Sequence, residues 1–94
     1  MSLTHNSYFG GGVQSIAHDL GDATASVGIM AGGEYHFGTA APERMTVIRG
    51  ELTVLLPGSA DWRSFGAGEW FDVPGDSGFD VRVAASTSYL CEYL

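Results

Sequence analysis

The stretch Glu43-Arg44-Met45-Thr46-Val47-Ile48-Arg49-Gly50-Glu51-Leu52-Thr53-Val54-Leu55-Leu56-Pro57-Gly58 carries the decision about the fold. It reads as two runs rich in β-branched and apolar residues, divided by one glycine and closed by a Pro-Gly turn. A lone glycine there predicts a tight hairpin or a bulged corner, where the backbone needs a positive φ. Side chains alternate along a strand, so Glu43, Met45, Val47 and Arg49 share one face and Arg44, Thr46 and Ile48 the other. A carboxylate heading an apolar stripe is informative, because a closed barrel turns one face inward, where an unpaired charge is costly. An inward Glu43 has a partner or a task; the plainer alternative is a structural acid bonding backbone amides at a barrel rim.

On either side of this stretch the same grammar repeats. Fourteen glycines and three prolines punctuate runs of Val, Ile, Thr, Tyr, Phe and Trp, which predicts strands near 13–18, 23–31, 34–38, 45–49, 51–56, 61–65, 69–73, 79–83 and 87–93. No segment predicts a helix. Short strands with a turn every eight to twelve residues or so point to an all-β sandwich, jelly roll or small barrel. The 94 residues make one domain, 1–94, with 1–7 expected as a loosely ordered N-terminal segment. A chain of this size buries somewhat over ~60% of its unfolded surface, so self-association would help it.

Composition excludes several classes of function. With 45% apolar and 16% charged residues the chain is not a disordered one. Eleven acids oppose four arginines and no lysine, for a net charge of −7, which argues against nucleic-acid polymers and membrane surfaces as partners. The single cysteine, Cys91, cannot form an internal disulfide. No run approaches the ~18 apolar residues of a membrane span, and the first residues lack the features of a secretory signal, so the expectation is a cytoplasmic protein.

Asp80 and Arg82 share the polar face of the run 79–83, as an ion pair on a solvated sheet face would. The final run, Thr87 to Leu94, has large residues on both faces. Either it packs on the core with a second subunit outside, or it is a tail folded over its own barrel. Cys91 within it is a buried small hydrophobe or a reactive thiol.

Glu43 precedes Gly50 by a spacer of six residues and Gly68 precedes Pro74 by a spacer of five, with seventeen residues between the two stretches. Those spacings resemble the Glu-x6-Gly and Gly-x5-Pro stretches of the cupin barrel. The metal-binding form of that fold also needs a His-x-His pair before the glutamate and a histidine after the proline. Here those places read Glu34-Tyr35-His36-Phe37 and Gly75-Asp76-Ser77-Gly78-Phe79, and His5 and His18 lie elsewhere. No bound metal or other cofactor is expected.

The resemblance then narrows. Tyr8-Phe9, Ala25-Ser26-Val27-Gly28, Gly33-Glu34-Tyr35, Met45-Thr46-Val47-Ile48, Leu52-Thr53-Val54-Leu55-Leu56-Pro57, Asp61-Trp62, Phe71-Asp72-Val73-Pro74 and Thr87-Ser88-Tyr89-Leu90-Cys91 occur in this order. In this the chain resembles the small cupin-like pyrimidine/purine nucleoside phosphorylases. The resemblance implies a single-domain jelly-roll barrel, homodimeric and cytoplasmic, that cleaves nucleosides with inorganic phosphate to a free base and a pentose 1-phosphate, tolerating many bases. Relatives can carry a small hydroxyl residue in place of Arg49, and other polar residues in place of Asp76 and Asp80.

Such a reaction needs a carboxylate for the ribose, a flat cradle for the base and an anion pocket, because the sugar gains oxocarbenium character while phosphate supplies the nucleophile. Glu43 is the first choice of carboxylate and Glu34 the second. Tyr35, Phe37, Met45, Trp62 and Phe71 are the candidate cradle, each also eligible as core, and Trp62 as a shield over a barrel end. Arg49 is the candidate phosphate ligand because a guanidinium fork matches two oxygens; the alternatives are an ion pair with Glu51 or a dimer contact. His36 donates to the departing base if its face is inward and is plain surface if outward. Two other readings remain: a non-catalytic cupin-like module that binds nucleosides or bases, and a metal-independent sugar isomerase or epimerase.

Overall fold

The computed structural model describes residues 2–19, 21 and 23–94. Its ten strands are β1 (Leu3–Tyr8), β2 (Val13–Asp19), β3 (Thr24–Met30), β4 (Gly33–Thr39), β5 (Glu43–Arg49), β6 (Glu51–Leu55), β7 (Arg63–Gly66), β8 (Trp70–Val73), β9 (Ser77–Val83) and β10 (Thr87–Tyr93). They form a six-stranded sheet in the order β1-β2-β3-β10-β5-β8 and a four-stranded sheet in the order β4-β9-β6-β7. The strand pairs are antiparallel. Two such sheets packed face to face, with β10 crossing over to lie between β3 and β5, are a jelly roll, one of the three architectures the turn spacing left open and the one the resemblance implied.

Nine of the strands fall where the sequence predicts them. The tenth, β1, occupies the segment expected to be loose: Leu3 to Tyr8 pair in register with His18 to Val13. Its residues are mostly exposed on both faces, so no apolar alternation marks it, and cross-strand hydrogen bonds hold it as a sheet edge. The final run is no tail; β10 sits inside the larger sheet, with Tyr89 and Cys91 buried.

Gly50 settles the alternative left open at Arg49-Gly50-Glu51. It is a corner: β5 pairs with β10 and β8 in one sheet, β6 with β7 and β9 in the other. Gly50 adopts φ 108°. Beside it Thr87 is fully buried, accepting from the Glu51 N–H at 3.2 Å and lying 3.0 Å from the Ala85 carbonyl.

The core lies between the sheets. From the larger one come Val13, Met30, Met45, Val47, Phe71, Val73, Tyr89 and Cys91; from the smaller one Leu52, Val54, Phe65, Phe79, Val81 and Val83. Between β1 and β2 the chain makes a 3-10 turn over Phe9–Gly11, in which Phe9, Gly10 and Gly11 all have positive φ, at 53°, 64° and 95°. For a bulky residue such as Phe9 that conformation costs on the order of 1–3 kcal/mol. The ring sits 5.0 Å from Tyr35 and 5.5 Å from Phe37, centroid to centroid, and two aromatic contacts of about 0.5–1.5 kcal/mol each offset the strain.

Candidate active site

Cross-strand register builds the site. One row across the inner face of the larger sheet runs Ser26, Cys91, Met45, Phe71 over β3, β10, β5 and β8. The next outward step on β5 and β10 pairs Glu43 with Tyr93. Above these rows, toward the smaller sheet, a cavity of about 410 Å³ opens, lined by Glu43, Cys91, Tyr93, Ser15 and Ser26 on one wall and by Phe37 and Phe79 on the other. Met30, Met45, Tyr89, Tyr8, Phe9, His36 and Gly38 complete it. That volume lies within the ~300–1,000 Å³ of small-molecule pockets.

The two walls differ in chemistry. The larger sheet offers a carboxyl group, a thiol and hydroxyls, whereas the smaller one offers the stacked rings of Phe37 and Phe79, 5.5 Å apart and inclined at 26°. A molecule with a hydroxylated end and a flat end fits that division.

Glu43 is inward and half-buried. The Cys91 thiol donates to its Oε1 at 3.4 Å. Burial raises the Glu43 pKa above the ordinary carboxylate value, and the thiol's hydrogen bond only partly opposes this. Cys91 is pushed up to about 12 by burial and then by the Glu43 charge, so it stays a thiol at neutral pH. It acts as a donor, not a nucleophile, which decides for the buried and unreactive reading. Tyr89, beside Ser15, is also pushed up to about 12 by burial, and burial raises Tyr93 in the same direction. Both phenols are donors at neutral pH.

The structure brings some expected site residues together and separates others. Glu43, Phe37 and Met45 line the cavity, and His36 borders it. The His36 imidazole nevertheless lies on the outer face, 67% exposed, with Nδ1 2.7 Å from Asp80. Glu34 is also outward, 2.9 Å from Arg82, whose guanidinium stacks 4.0 Å over Trp62. Asp80 and Arg82 thus pair across strands with His36 and Glu34, not with each other. Trp62, Glu34 and Tyr35 line a shallow outer groove rather than the cavity. Phe71 is core, packed on Phe65 and Phe79.

Arg49 is exposed at the far end of β5. A register shift at this end pairs Val47 with the inward Tyr89 but Arg49 with Ser88, which turns Arg49 off Glu43's face, and six residue steps at about 3.3 Å each put it roughly 20 Å away. None of the four arginines lines the cavity. Arg44 is spoken for as well, gripping Asp72 at 2.8 and 3.1 Å and lying 3.9 Å over Trp70.

Sequence reading missed Tyr8, Phe9, Ser15, Ser26, Met30, Phe79, Tyr89, Cys91 and Tyr93 as cavity residues. Parity within each strand gives the face but not which strands lie side by side, and here β3, β10 and β5 are neighbours far apart in sequence.

The metal-binding cupin pattern does not fit this chain. Among the described residues no three His, Cys, Asp or Glu side chains gather to hold an ion. The partner of Glu43 is a protonated thiol, and His36 is turned outward.

A family model described as pyrimidine/purine nucleoside phosphorylase matches residues 3–93. The chain belongs to that family. A pyrimidine/purine nucleoside phosphorylase of Tolumonas auensis is 60% identical over 91 residues, 97% of this chain and 98% of that protein. One from Shewanella pealeana is likewise 60% identical over 91 residues, with the same coverage. A crystal structure from Vibrio parahaemolyticus, described as a protein of unknown function, superposes with a TM-score of 0.96 at 52% identity, covering 100% of both chains. A cupin superfamily protein from Desulfitobacterium hafniense shares the fold, with a TM-score of 0.73 at 13% identity, over 95% of this chain and 80% of that one. The family's name gives the nucleoside phosphorylase class. No described helix is long and apolar enough to cross a membrane.

Proposed function

We propose that this chain cleaves both purine and pyrimidine nucleosides with inorganic phosphate, without a metal, releasing the base and a pentose 1-phosphate. The observation that carries the reading is the half-buried Glu43 carboxyl on the hydroxyl-bearing wall of a cavity whose opposite wall is aromatic. The ribose lies on the first wall, its hydroxyls donating to Glu43, and the base lies against Phe37 and Phe79. A phosphate oxygen bonds to the anomeric carbon as the carbon–nitrogen bond breaks, its electron pair leaves with the base, and the base takes up a proton. Glu43 stabilises the positive charge that develops on the sugar. With Arg49 remote, the donors suited to phosphate are the hydroxyls of Ser15, Ser26, Tyr89 and Tyr93.

The expected result is release of uracil from uridine and adenine from adenosine only when phosphate is present, at the same rate after dialysis against a chelator. Release without phosphate, or loss of activity on chelation that a divalent ion restores, would remove the corresponding part of the reading. A specific observation favours one alternative: no guanidinium lines the cavity. A non-catalytic nucleoside-binding module would bind nucleosides, raise its own melting temperature and consume nothing.

The active form in this reading is a cytoplasmic homodimer. On the outer face of the larger sheet Ile16, Val27, Ile29 and Ile48 are between 46% and 57% exposed, around an apolar depression of about 740 Å³ lined by no Asp, Glu or Arg. For a chain of net charge −7, that face lets two copies meet without opposing carboxylates. Ile29→Asp is expected to halve the sedimenting mass while the circular dichroism spectrum stays the same; a wild-type protein that sediments as a monomer rules the dimer out.

A further inference from the structure

We propose that Phe9 is a specificity-determining residue: its ring face is the platform at the cavity mouth on which the nucleobase stacks, with Phe37 standing edge-on beside it. The inference rests on the nucleoside reading above and adds to it a residue from the β1–β2 turn, outside the candidate cradle drawn from the sequence.

Three observations carry it. First, the turn spends its strained position on a phenylalanine. Phe9 holds φ 53° immediately before Gly10 and Gly11, which tolerate φ 64° and 95° freely. A turn that only had to reverse the chain would place glycine at such a position; an αL phenylalanine there directs a ring to a particular spot. Second, the ring at that spot is half in water. Phe9 is 51% exposed, yet it meets Phe37 edge-on, with centroids 5.5 Å apart and planes inclined at 82°, and Tyr35 at 5.0 Å. It borders both the cavity and the shallow outer groove. Third, the polar groups of the cavity are concentrated on the wall of the larger sheet, and the flat end is aromatic. Recognition there runs through π-faces, which every base has, so one-ring and two-ring bases are both accepted and discrimination depends on ring overlap.

The test compares wild type with Phe9→Ala, Phe9→Gly and Phe9→Tyr. Phe9→Ala is expected to raise the nucleoside KM about tenfold, as one lost base stack would, with kcat and the phosphate KM within about threefold of wild type. The loss should be larger for adenosine than for uridine. Phe9→Tyr keeps the ring and should restore wild-type KM. Phe9→Gly removes the ring but relieves the backbone, so it should melt no lower than wild type while matching Phe9→Ala in KM; a ring that served folding alone would give the reverse. Calorimetric titration of free adenine and uracil into the same proteins gives a readout independent of turnover. If wild type binds base, Phe9→Ala does not, and no variant turns over nucleosides, the phosphorylase reading fails and the base platform stands. Equal base affinity in wild type and Phe9→Ala overturns the platform, as does a wild type that binds neither base.

Discussion

Glu43→Gln is expected to slow phosphorolysis by at least about a hundredfold, the size found when one preorganised group facing developing charge is removed. The substitution keeps the shape, and the amide oxygen can still accept from the Cys91 thiol, so the protein should remain folded. The pH dependence gives the sign. Burial raises the Glu43 pKa in the folded chain, and the ionised form is the one that stabilises a cationic sugar. Activity should therefore climb with pH along a limb lying above the ordinary carboxylate range, and that limb should vanish in Glu43→Gln. Stability should run the other way: the folded state holds the Glu43 proton more tightly than the unfolded state, so stability falls as pH rises through the raised pKa. Glu43→Gln should lose this decline. A folded Glu43→Gln protein with undiminished turnover would make Glu43 a structural acid.

The second large effect is on folding. Gly50→Ala should destabilise the chain by about 3 kcal/mol, from strain in a left-handed conformation and from crowding in the core. A Cβ at Gly50 would stand 3.0 Å from the Thr87 Cβ and 3.1 Å from its Cα. Thr87 is fully buried and tied to Glu51 and Ala85, so it has nowhere to retreat. At about 4–8 °C per kcal/mol for a domain this small, the melting temperature should drop by roughly 15 °C. A drop of less than about 3 °C would mean that the corner flexes.

How much of this could be read from residues alone differs from element to element. Alternation over 43–49 put Glu43 on the inner face, and the structure finds it there, because apolar periodicity reports burial directly. The same alternation put Arg49 on that face, yet strict alternation sees neither the register shift that pairs Arg49 with Ser88 nor how far along a strand a side chain lies, and both remove Arg49 from the site. His36 and Glu34 were known to share a face; which face depended on the pairing of β4 with β9. β1 left no trace, since an edge strand with both faces in water has no apolar pattern to reveal it. Tyr89, Cys91 and Tyr93 join Ser26 and Glu43 only through the placement of β10 between β3 and β5, a choice of topology that no local window contains.

The β5–β6 corner reaches further than stability. The two walls of the cavity belong to separate sheets, and their separation is governed by the few peptides that pass from one to the other. The width of the cavity, and under the proposed function the size of base it would admit, is thus decided partly at a bend remote from the cavity. A broader or narrower appetite could evolve by adjusting such a bend while every residue that touches the substrate stays the same.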